Sequence, residues 1–194
     1  MKALMRSFAL ASAVAGLIVL TCLKATAAPG NSNIATVALA AQLNESLTVS
    51  LISGTSINFT LAPNTAANSG NASTTITTSW SLKPGRNNIA IWAYFVSATA
   101  ALNPVSVGNS FTIPSAAVKI QVNAAGAFNP CSNVSPFNAA ASGLRIGITS
   151  ITGNKNSVGT RTDTLNYQID TTVVPQLPAD TYTGVLNIQA QTTP

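Results

Sequence analysis

Leu177-Pro178-Ala179-Asp180-Thr181-Tyr182-Thr183-Gly184-Val185-Leu186-Asn187-Ile188-Gln189-Ala190-Gln191 decides the fold class. A Pro-centred turn runs into a segment with Tyr182, Leu186, Ile188 and Ala190 on one face and Thr183, Asn187, Gln189 and Gln191 on the other. Successive side chains of a strand point to opposite faces, so this period of two marks a half-buried strand. The segment is expected to close a β-sandwich.

The same alternation recurs upstream. Val37, Leu39, Ala41 and Leu43 alternate with Ala38, Ala40 and Gln42, and Leu47, Val49 and Leu51 alternate with Thr48 and Ser50. Further runs are Ile57, Phe59 and Leu61; Ile76, Thr78, Trp80 and Leu82; Val118, Ile120 and Val122; Leu144, Ile146 and Ile148; and Leu165, Tyr167 and Ile169. Lys83-Pro84-Gly85-Arg86 and Gly153-Asn154-Lys155-Asn156 read as turns, and Leu61 through Gly70 as a polar loop. No helical spacing competes. The pattern predicts an all-β antiparallel sandwich of about eight or nine strands.

The first residues read as an export signal: Lys2 and Arg6, an apolar run from Phe8 to Leu20, and the small-x-small site Ala25-Thr26-Ala27. Cleavage there divides the chain into a signal peptide, 1–27, and a single domain, 28–194. Val19-Leu20-Thr21-Cys22 loosely resembles a lipobox, but Thr21 stands where a small residue is usual, and plain cleavage is the favoured reading. No later segment is continuously apolar for the roughly 20 residues of a membrane helix, so no membrane span is expected in the mature chain. The expected location is secreted or at the cell surface.

Lys2, Arg6 and Lys24 leave with the signal, and the mature chain keeps six basic residues against four acids, a net charge of +2. Lys83, Arg86, Lys119, Arg145, Lys155 and Arg161 are scattered, without the basic cluster that nucleic acid requires. Cys131 is the one mature cysteine, either a buried small hydrophobe or a dimerising thiol. The chain contains no His, which removes the usual base of a nucleophilic triad and His-based zinc ligation. Of the acids, Glu45 stands alone, Asp163 and Asp170 fall at opposite ends of one strand pattern, and Asp180 belongs to the turn before the last strand. That spacing does not suit a glycosidase pair. A non-enzymatic protein without cofactor or metal is expected.

Charged residues make up only 7% of the chain, so the wet faces of the strands consist of Thr, Ser, Asn and Gln. Charge is the usual block to edge-to-edge pairing, and its scarcity points to association with further copies. Asn88-Ile89-Ala90-Ile91-Trp92-Ala93-Tyr94-Phe95-Val96 is apolar on both faces. Either a loop or a terminus covers its second face, or Trp92 and Tyr94 form a contact face for a subunit or a sugar ring. Segment Val37, Leu39, Ala41, Leu43 is either the first strand of its own sandwich or a donor strand that fills a neighbour's groove.

Pro178-Ala179-Asp180-Thr181-Tyr182-x-x-x-Leu186-x-Ile188 resembles the ending of secreted bacterial sandwiches of the spore coat protein U and pilin-like kind, with Asp180 where Gly is usual. The resemblance implies an immunoglobulin-like sandwich at the cell surface, often assembled by strand exchange; the paired cysteines common in such pilins are missing. Trp80-Ser81-Leu82 with Tyr182-x-x-x-Leu186 is similar to the pattern of WxL cell-wall-binding domains. Arg161-Thr162-Asp163-Thr164-Leu165-Asn166 followed by Pro175-Gln176-Leu177-Pro178 resembles uncharacterised exported proteins of acidobacterial type. The expected function is a structural or adhesive coat- or pilus-like subunit whose partner is itself. The alternative is a module binding cell-envelope polysaccharide through Trp92, Tyr94 or Trp80.

Overall fold

The computed structural model describes Gly30 and residues 32–194. The signal peptide with Ala25 and Ala27, and the lipobox Cys22, lie outside the described residues. Gln42–Pro194 is one compact unit. Its strands are β1 (Ser46–Ser53), β2 (Asn68–Ser69), β3 (Thr74–Ser81), β4 (Asn88–Tyr94), β5 (Asn103–Pro104), β6 (Val118–Val122), β7 (Ala125–Pro130), β8 (Asn133–Ser135), β9 (Asn138–Ser150), β10 (Val158–Ile169), β11 (Tyr182–Thr183) and β12 (Asn187–Thr193).

The first sheet has the order β1-β3-β10-β6-β7, with β2 also on β10, and the second has the order β12-β4-β9-β8. All pairings are antiparallel, and β11 with β5 forms a small separate ribbon. The expected all-β sandwich is the observed one. β3 illustrates why: Thr74, Ile76, Thr78 and Trp80 are buried while the residues between them are half-buried. Its β-branched residues suit the pleated surface. Ile76 and Trp80 from β3, and Leu165 and Tyr167 from β10, meet Ile89 and Ile91 from β4 in one core.

The two sides of the sandwich differ. On one, the chain passes directly from β7 in the first sheet to β8 in the second, with Cys131 fully buried at the crossing. On the other, β1 and β12 are edge strands, one from each sheet, with no further strand paired to either among the described residues.

Four expectations are corrected. Val37, Leu39, Ala41 and Leu43 form no strand and are exposed, so they are not the first strand of this sandwich. The closing strand is two pieces, β11 and β12, interrupted at Gly184–Leu186, where a Cβ on Gly184 would collide with the Ala101 carbonyl. Ile57, Phe59 and Leu61 keep their alternating burial but join the sheet through a single bridge, Phe59 to Gly70. Ile148 is 48% exposed rather than facing inward with Ile146.

The last correction has a specific cause. Ile91 pairs with Gly147, but Trp92 pairs with Arg145, so Ile146 is the extra residue of a β-bulge. One inserted residue reverses the faces beyond it, which sends Ile148 outward. Gly147 lies over the Arg161 guanidinium, where a Cβ would leave no room.

Candidate functional site

The edge strands β1 and β12 are neighbours, and Leu47, Val49, Ile188 and Ala190 from the two face a common cleft. Between them opens a groove of about 960 Å³ with Val118, Tyr167 and Ile169 among its lining residues. Leu51 stands on the inward face of β1 with Leu47 and Val49, yet it is 55% exposed because the groove is open beside it. Thirteen partly buried hydrophobic residues pack against the core, and all but Val122 and Leu144 lie along this seam.

Val37, Leu39 and Leu43 are exposed at 82%, 92% and 82%, in a segment without secondary structure. The structure therefore presents a set of exposed alternating apolar side chains and, in Gln42–Pro194, a seam of mixed lining with no strand in it among the described residues.

Trp92 and Tyr94 both fall on the outer face of β4, half-buried, opposite the buried Ile89, Ile91 and Ala93. Tyr94 stacks on Phe137 with ring centroids 5.7 Å apart, and its hydroxyl donates to Gln189 Oε1 at 3.0 Å. Trp80, the third aromatic candidate and the Trp of the WxL-like triplet, is only 7% exposed, and its Nε1–H donates to the Asn156 carbonyl at 2.9 Å. It belongs to the core and is withdrawn as a contact residue.

The four acids are engaged in the structure itself. Glu45 accepts two bonds from Arg86, at 2.8 and 2.9 Å, which hold its carboxyl down to about 2. Asp163, 1% exposed and in the middle of β10 rather than at its end, accepts bidentately from Arg161 and once from Asn123. Asp170 takes Lys119 Nζ at 2.7 Å and the Thr172 amide at 3.0 Å, and these bonds lower its pKa. Asp180 is lowered by Asn109 and Ser106, whose loop it ties to the turn before β11. Burial pushes the Cys131 thiol up to about 12, which suits the buried-hydrophobe reading and leaves little thiolate for pairing. No cluster of three His, Cys, Asp or Glu residues able to hold a metal occurs among the described residues.

Sequence reasoning named the segment and the aromatics but missed the seam and Arg145. The seam draws on positions more than a hundred residues apart, each of which reads as ordinary inward-facing strand. The chain matches no protein-family model, no curated protein and no solved structure.

Proposed function

We propose that this protein is an exported, non-enzymatic surface or coat subunit that acts by association with further copies of itself. Residues 37–43 of one copy fill the seam between β1 and β12 of the next. The observation that carries this reading is the seam: two edge strands flanking a groove of mixed lining, along which run most of the hydrophobic side chains the core leaves half covered. An added strand supplies backbone partners to a free edge and alternate side chains to the groove. At about 3.3 Å per residue, seven residues span roughly 20 Å and place four apolar side chains on one face. The structural engagement of all four carboxylates supports a non-enzymatic role. The likeness of the closing segment to coat and pilin-like sandwiches agrees with it.

Mass in solution tests the proposal. The full mature chain is expected to form oligomers or filaments whose size grows with concentration, visible by light scattering and electron microscopy. Deletion of residues 37–43 is expected to give a monomer that still melts cooperatively. A monomeric full chain overturns the reading, as does a deletion variant that keeps the parent's oligomeric size. A variant that loses its cooperative melt also overturns it, because the segment would then belong to its own fold.

A further inference from the structure

The bulge in β9 changes what stands beside Trp92. In an unbroken ladder the residue opposite Trp92 would be Ile146; the bulge keeps Ile146 in the core and sets Arg145 there instead. On the other side of Trp92 the register partner is Gln189. Three adjacent strands thus carry a row Gln189, Trp92, Arg145 across the outer face of the second sheet, about 10 Å wide at the ordinary strand spacing. Bulges recur where a side chain has to be re-aimed, often next to functional sites.

The chemistry of the row is specific. Gln189 has its Oε1 occupied by the Tyr94 hydroxyl, so its amide N–H groups are left to point elsewhere. Arg145 is exposed and makes no ion pair or hydrogen bond among the described residues. Arg86, Lys119 and Arg161 each hold a carboxylate; Lys83 and Lys155 lie in turns, which leaves Arg145 as the unpaired cation placed within a strand. An indole face flanked by N–H donors on both sides and a fixed positive charge on one calls for a flat apolar ring bearing oxygen acceptors and a negative charge.

We propose that this row binds an acidic polysaccharide, with a uronic-acid ring stacked on Trp92, its carboxylate on the Arg145 guanidinium and a hydroxyl on the Gln189 amide. Tyr94, braced by Phe137, is a positioning residue that holds Gln189. Gln189 lies on β12, which also borders the seam, while Trp92 and Arg145 lie on β4 and β9, and the binding requires no association between copies.

Polygalacturonate is the probe, with neutral dextran and double-stranded DNA as controls, in affinity electrophoresis and titration calorimetry on the purified mature protein. Retention by polygalacturonate and by neither control is expected. Arg145→Gln and Trp92→Ala are each expected to weaken it at least about tenfold, the loss typical of a charge-assisted bond or a stacking platform. Tyr94→Phe, which keeps the ring, is expected to weaken it a few-fold through release of Gln189. Deletion of residues 37–43 is expected to leave it unchanged, so this site and the association seam succeed or fail separately. Cooperative melting of each variant establishes that it is folded, and Arg145→Lys supplies a second exposed variant, expected to retain partial binding. Equal retention by dextran or DNA overturns the proposal, as does binding indifferent to Arg145→Gln and Trp92→Ala; in that case Arg145 is a charge that merely keeps a neutral face from sticking.

Discussion

Thr78 is fully buried in β3, and its Oγ1 has no hydrogen-bond partner. A buried hydroxyl left unpaired bears the desolvation cost without the compensating bond. Thr78→Val keeps the β-branched shape and removes the polar atom, and is expected to raise unfolding stability by about 1 kcal/mol in urea melts. A loss of stability would mean that the hydroxyl has a partner in solution. Asp163 shows the opposite outcome for a buried polar group: a carboxylate 1% exposed, with Arg161 and Asn123 filling its acceptor sites. Arg161 and Asp163 stand at i and i+2 and so share one face of β10, which brings the two charges together.

At the scale of elements, the period of two found β3, β6 and β10 because each buries one face in a common core, and it found β1 because Leu47 and Val49 pack partly against that core. It could not find the bulge at Ile146, since one inserted residue leaves the apolar count unchanged while reversing the faces beyond it. Nor could it tell that residues 37–43 are exposed and pair with no strand among the described residues: alternation records which face is apolar, not whether an edge is present to pair with. The start of β1 is held by a contact that no periodicity marks, the Glu45–Arg86 pair, which ties the chain just before β1 to the turn between β3 and β4. The folded carboxyl of Glu45 sits at about 2 against an ordinary 4.5, so its contribution is present above pH 4.5 and is lost as the pH falls towards 2. Asp170 and Asp180, both lowered, act in the same direction. The melting temperature is therefore expected to decline as the pH falls through this acid range, and Glu45→Gln to remove part of the decline while lowering stability at neutral pH. Parallel pH profiles for Glu45→Gln and the parent would show that this pair contributes nothing.

At the scale of the whole molecule, the fold is asymmetric: one flank is sealed by the β7–β8 crossing with Cys131 inside, and the other is open along β1 and β12. In the proposed association each copy gives once and receives once, which allows a reciprocal pair, a closed ring or an open chain of copies. Two variants separate giving from receiving. Without residues 37–43 a copy can only receive; with Leu51→Asp, which sets a charge in the groove at a position already 55% exposed, it can only give. Each alone is expected to be monomeric, and the mixture to form a complex of one copy of each that grows no further. Binding to the folded state alone stabilises it by about 2.7 kcal/mol at a hundredfold excess of free partner over Kd, so the receiving variant should also melt later as the giving variant is added. A mixture that remains two monomers, or a Leu51→Asp variant that assembles by itself, would place the contact between copies elsewhere on the molecule.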